Sequence, residues 1–337
     1  MSIKEVAALA DVSMATVSRV FNLPEKVNAE TREHVLRIAK KIGYYPNASA
    51  RTLRTQRSHV LGVVLPTLLN PVFAECLDGI AEAASAHGYS ILPITTDYKL
   101  AQEEQAVNQL LAGNVDGMVL VVSNPATSMA LLRLRTAQLP YVLVYNRQAD
   151  HPCVSVDNEL AMRETVARLY AMGHRRISLI SGQLAASDRA QQRKRGFFEG
   201  MHALGLDEPH CLEVPFVETA LQEISEFLQK KNRPTALICS NDLIAIRSIR
   251  AAHLAGLQVP NDISITGFDG IAIGDDLTPK LSTITQPNKL IGQQSVDLVV
   301  SALLQGIPLN PNDSLLLEHG YRQGESCAPV SSSVTHS

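Results

Sequence analysis

Six side chains between positions 14 and 22 carry the first chemical signal. Met14, Ala15, Thr16, Ser18, Arg19 and Asn22 fall on one face of a helix expected over Met14–Phe21, while Val17, Val20 and Phe21 form its apolar inner face. Hydroxyls near a helix N-terminus suit phosphate oxygens, and an arginine one turn further on reaches guanine O6 and N7. Any one of these residues alone is ordinary helix surface. Grouped on one face, they point to DNA.

The elements that must hold this helix are also readable. Ile3, Val6, Ala7 and Ala10 recur at helical spacing, so a first short helix spans Ile3–Ala10. Asp11-Val12 turns the chain, aspartate being one of the few non-glycine residues that tolerate the left-handed conformation. Ser13 is placed to cap the second helix. Asn28 is placed to cap a third helix over Ala29–Ile42, with Val35, Ile38, Ala39 and Ile42 on one face and Gly43 at its C-terminal end. Two short helices across a tight turn, braced by a third, make a helix-turn-helix unit.

Charge agrees once it is counted by region. The 337 residues carry a net charge of −3, which taken whole argues against a nucleic-acid binder. Residues 1–59 hold ten lysines and arginines against five acids, a net of +5. The other 278 residues hold 20 bases and 28 acids, a net of −8. A basic head on an acidic body is the asymmetry expected when one small domain meets phosphate.

The run IKEVAALADVSMATVSRVFN, with VNAETREHVLRIAKKIGYYPNASARTLR after it, resembles the DNA-binding head of the LacI/GalR family of bacterial transcription regulators. The resemblance implies that Met14, Ala15 and Arg19 face base edges and that Thr16, Ser18 and Asn22 contact the DNA backbone. Asp11 departs from the glycine usual in that turn. NASARTL (47–53) would be a hinge helix, too short to be stable alone, that forms when two subunits lie side by side on operator DNA. Asn47 and Ala50 fall in it, and Leu53 matches the leucine that wedges into the minor groove.

After His59 the period changes. Short β-rich apolar runs at 60–66, 90–96, 117–122, 141–146 and 153–157 alternate with helical stretches, the βαβ pattern of a doubly wound parallel sheet. The pattern restarts at 176–182 and continues through 211–216, 235–240 and 262–268. Two successive α/β lobes imply a cleft, with ligands at the C-terminal ends of the strands. Loops there offer Asn70, Phe73, Asn146, Arg147, Asp157, Arg193, Phe216, Asn241, Asp242, Asp269 and Gln286. An arginine fork facing a carboxylate acceptor suits a small ligand with several hydroxyls.

The family resemblance continues through segments such as VDNELAMRETVARLYAMGHRRISLISG and RPTALICSNDLIAI to Arg322. It implies a head at 1–46, a hinge helix and linker at 47–59, and a periplasmic-binding-protein-like effector-binding and dimerisation body at 60–322. The lobes of that body would be 60–157 with 288–317, and 158–286, with chain crossings near Asn158, Gln286 and Glu318. It also implies that Arg193 and Asp269 bind the effector with Asn241 nearby, and that Phe73 stacks on it. Asn146, Arg147 and Phe216 complete the expected effector set. Arg147 beside Arg193 would make the site cationic enough for a sugar acid as well as a sugar. The loop Gln183–Gln192 does not align, so Asp188 and Arg189 face either cleft or solvent.

Other classes are disfavoured. GxGxxG after the first strand, GxxxxGK[ST], HExxH and GxSxG are all missing, so an enzyme is not expected. A periplasmic binding protein would share the two-lobed body, but neither a signal peptide nor a membrane span is visible, and the basic head has no place in one. Five scattered cysteines without a CxxC pair fit buried thiols in a reducing cytoplasm rather than a disulfide or zinc framework. The expectation is a cytoplasmic repressor without cofactor: a homodimer on a palindromic operator, switched by a small polar effector. The tail from 323 lacks leucine heptads and is expected to be disordered.

Overall fold

A computed structural model describes residues 2–44, 57–206, 209–216 and 218–330. The chain divides into two compact units, Met1–Ser58 and His59–Ser337.

The first unit has three helices, α1 (Ile3–Leu9), α2 (Met14–Asn22) and α3 (Ala29–Lys41). Ser2 and Glu5 form a capping box on α1, Ser13 caps α2 through the Thr16 amide, and Asn28 caps α3. Asp11 sits at φ 51°, the left-handed turn that sets α1 against α2. Val6, Ala7, Ala10, Val17, Val20, Val35 and Ala39 are buried together, with Phe21 and Tyr44 edge-to-face at 5.8 Å beside them. The core is small but each helix contributes to it.

In the second unit the described residues form two six-stranded sheets. The first runs in the order β11-β5-β4-β3-β1-β2, from β1 (Val60–Leu65), β2 (Ser90–Thr95), β3 (Gly117–Leu120), β4 (Tyr141–Val144), β5 (Cys153–Val156) and β11 (Leu315–Leu317), all parallel. Helices α4 (Pro71–Ala86) and α11 (Asn288–Gln305) cover one face, and α5 (Leu100–Ala112) and α6 (Met129–Thr136) the other. Gly292 lets α11 close on α4, because a Cβ there would stand 2.2 Å from the Cys76 carbonyl oxygen.

The second sheet runs β12-β10-β9-β8-β6-β7, from β6 (Ile177–Gly182), β7 (His210–Val214), β8 (Ala236–Cys239), β9 (Ser264–Asp269), β10 (Ser282–Thr285) and β12 (Gly320–Arg322). Only β12 is antiparallel. Helices α7 (Asn158–Ala171) and α8 (Asp188–Ala203) pack on one face, and α9 (Leu221–Leu228) and α10 (Asp242–Leu254) on the other. The chain passes between sheets three times, after β5, after β10 and between β11 and β12. Central strands buried on both sides read as unbroken apolar runs, as β1, β3 and β4 do.

The expected disorder from 323 does not hold for 323–330. Ser326 and Cys327 are buried, the Ser326 carbonyl accepts the Ile265 amide at 2.8 Å, and the Val330 amide donates to the Met172 carbonyl at 3.0 Å. This segment satisfies its backbone group by group against the second lobe, an arrangement with no sequence period to betray it. Among the described residues no helix is long and apolar enough to cross a membrane.

Candidate nucleic-acid interface and ligand cleft

On α2 the cap and the apolar face decide what is left outward. The Thr16 amide donates to Ser13 Oγ at 3.0 Å, and the two hydroxyls lie 2.9 Å apart. Asn22 Nδ2 donates to the Ser18 carbonyl at 2.6 Å and reaches Ser18 Oγ at 3.3 Å. Val17 and Val20 turn inward, which leaves Met14, Ala15 and Arg19 exposed and Thr16, Ser18 and Asn22 half-buried. Arg19, in the last turn, complements the helix dipole while its guanidinium stays in solvent. Asn47, Ala50 and Leu53 lie outside the described residues.

The body gathers strand ends and helix starts from both lobes around one small cavity of about 30 Å³. On the second-lobe wall Arg193, 7% exposed, projects from α8. Its Nε donates to Asn158 Oδ1 at 2.8 Å, one Nη donates to the Ser240 carbonyl and lies 3.4 Å from Asp269 Oδ1, and its plane covers the Phe268 ring at 3.5 Å. Asp269, 3% exposed, also accepts Gln286 Nε2 at 2.9 Å. Burial pushes the Asp269 carboxyl up to about 6, opposed by Arg193, Asn70 and Gln286. Burial likewise lowers the Arg193 guanidinium, with Asp269 acting in the other direction. Behind them Asp242 accepts the Ile271 amide and the Thr283 hydroxyl, and burial together with the nearby Asp269 charge raises it to about 8.

The start of α8 ties the lobes together. Ser187 caps the helix, the Asp188 amide donates to the Ser123 carbonyl at 2.8 Å, and Asn146 Nδ2 donates to Asp188 Oδ1 at 2.6 Å. Arg189 pairs with Asp188 at 3.0 Å and donates to the Val122 carbonyl at 3.1 Å. Glu103 accepts the Ser123 amide and hydroxyl with one oxygen, while its buried Oε2 has no partner. Burial raises its pKa, toward the form that keeps a proton.

A family model described as bacterial regulatory proteins, lacI family, matches residues 2–47, and one for periplasmic binding proteins and the sugar binding domain of the LacI family matches residues 58–314. The chain belongs to the LacI family. It is 31% identical to catabolite control protein A of Priestia megaterium over 89% of this chain and 91% of that protein. Identity is also 31% to the HTH-type transcriptional repressor CytR of Escherichia coli K12, over 90% and 89% of the two chains, and 32% to the ribose operon repressor of Haemophilus influenzae, over 93% of each. The lac repressor dimer bound to operator and the anti-inducer ONPF superposes with a TM-score of 0.84 at 26% identity, covering 97% of this chain and 99% of that one. This LacI-family chain is a ligand-responsive, DNA-binding transcription regulator rather than an enzyme.

In this member Phe73, Arg193, Phe216, Asn241 and Asp269 line the cavity, with Asn70 and Gln286. Asn241 uses its side-chain oxygen to cap α10 through the Ile244 amide. Asn146 stands one layer back, bonded to Val122 and Asp188. Arg147 is not in the cleft. Its guanidinium pairs with Asp157 at 2.7 Å and lines a separate cavity of about 590 Å³. Tyr145 at φ 65° turns the backbone after β4, and beyond it Asn146 faces inward while Arg147 faces out. The expected Arg147–Arg193 pair therefore does not form, and Arg189 takes its place in the lining.

Sequence reasoning left Arg189 undecided and missed Tyr98. Helix α8 begins at Asp188, inside the stretch Gln183–Gln192 expected to be a loop, and Arg189 in its first turn is buried and lines the cleft. Tyr98 follows β2, the same strand-end position from which the other candidates were drawn.

Proposed function

We propose that this protein represses transcription in the cytoplasm as a homodimer bound to an inverted-repeat operator, and that a small polyhydroxylated effector in the cleft switches it. The observation that carries the reading is the outward set Met14, Ala15 and Arg19 on a capped recognition helix, in one chain with a buried polar cleft between two lobes. Two such helices on a two-fold axis would read half-sites one helical turn apart. A solved relative is a repressor dimer on operator DNA. Coupling is then a difference in effector affinity between DNA-competent and DNA-incompetent states.

A neutral sugar fits the electrostatics best. Arg193 is answered by Asp269 and Arg189 by Asp188, so neither cation needs a charged ligand. One observation favours a sugar acid instead: the lining itself holds two guanidinium groups and one carboxylate. Genome-wide footprinting should reveal inverted repeats, and calorimetry with neutral sugars and sugar acids should give tight binding from the neutral set. Footprints without dyad symmetry would remove the operator reading. Binding confined to carboxylates would replace the neutral sugar by the acid.

A further inference from the structure

Two aromatic rings from opposite lobes meet inside the cleft. Tyr98 stands in the turn after β2 of the first lobe and Phe216 in the loop after β7 of the second. Their centroids lie 4.5 Å apart and their planes differ by 9°, a stacked pair, and both rings line the cavity with Arg193 and Asp269.

Neither ring reaches this position by default. Asp97 at φ 48° and Tyr98 at φ 57° are successive residues in the left-handed region, which side chains other than glycine seldom adopt. Their turn is held by the Asp97 amide on the Pro66 carbonyl and the Lys99 amide on the Thr96 carbonyl, each at 2.8 Å. Phe216 rests against Gly182, where a Cβ would come within 2.0 Å of the ring, so glycine is required for the ring to lie there. The space that remains, about 30 Å³, admits on the order of two waters. Pockets that bury small ligands run to roughly 300–1,000 Å³. A ligand of sugar size needs more room than this, and the two stacked rings lie in the lining it would have to open.

We propose that Tyr98 is a specificity-determining residue of the cleft: its ring occupies a stacking face of Phe216, and a ligand that takes this face must displace it. Tyr98 is thus a built-in competitor. Ligands with a flat apolar face recover the lost ring contact on Phe216, whereas small polar molecules without one do not. The proposal rests on the reading of the cleft as a ligand site, and its test separates the two.

The chain contains no tryptophan, so Tyr98→Trp places a single indole in the stack. Without ligand its emission should be blue-shifted and protected from acrylamide quenching relative to the unfolded chain. An emission and quenching rate typical of exposed indole would overturn the proposal. Calorimetry with ribose, galactose, cellobiose, gluconate and adenosine then compares wild type, Tyr98→Phe and Tyr98→Ala. Loss of the ring should tighten binding by about two- to tenfold, the worth of one aromatic pair, and Tyr98→Phe should bind as wild type does. Weaker binding by Tyr98→Ala would make Tyr98 an ordinary ligand contact and refute the competitor role. If no compound binds the wild type, the ligand reading fails for these probes, while the ligand-free emission still decides where the ring lies.

Discussion

The recognition helix and the cleft solve opposite problems. On α2 the side chains proposed to meet DNA point outward from a helix held by its inner face and its cap. In the cleft, Arg193, Asp269, Asn158 and Gln286 are buried and partnered by one another, each from a different segment. The first surface is ready for a partner without rearrangement. The second holds hydrogen-bonding groups already satisfied by one another, so a molecule bound there would have to exchange for protein partners. Exposed function can be changed one residue at a time, while buried function moves as a network.

The sharpest test of that contrast is Arg193→Ala. It leaves Asp269 and Asn158 buried without their cation and should destabilise the body by about 3–5 kcal/mol, read by chemical denaturation. A loss no larger than a surface substitution would mean that the network is not coupled. Arg19→Ala should do the reverse. It should weaken binding at the cognate site by about 1–3 kcal/mol and relax discrimination at one base position, with the denaturation midpoint unchanged. Unaltered discrimination against mismatched sites in gel-shift titrations would deny Arg19 a base-reading role.

The smallest effect concerns pH. The folded Asp269 carboxyl sits near 6, above its ordinary value near 4, so the stability it contributes is present at low pH and lost as pH rises through 4 to 6. Asp269→Asn does not titrate. The difference in Tm between variant and wild type should therefore move steadily in favour of the variant across this window. A difference that stays flat from pH 4 to 7 would place the carboxyl at its ordinary value.

How much could be read in advance follows the same division. The period of Val17, Val20 and Phe21, together with Ser13, was enough to orient α2, because a helix face is a property of one short stretch. Strands β1 to β9 were visible for the same local reason. Strands β10, β11 and β12 were not read: β10 is STIT, with a single large apolar residue, and β11 and β12 have three residues each. In the cleft, strand-end position located Phe73, Phe216, Asn241 and Asp269, but it could not tell Asn146 from Arg147. The two are adjacent in sequence, and only the backbone turn after β4 sends one inward and the other to Asp157.

By itself the sequence determined the split of charge between head and body, the helix-turn-helix with its outward residues, and the alternation that makes two α/β lobes. All of these are properties of composition or of local spacing along the chain. The tertiary structure alone decided which arginine enters the cleft, that Asp188 joins the lobes, and that Tyr98 covers Phe216. Each of these joins residues dozens to more than a hundred positions apart. Burial sets their charge and leaves no trace in local pattern.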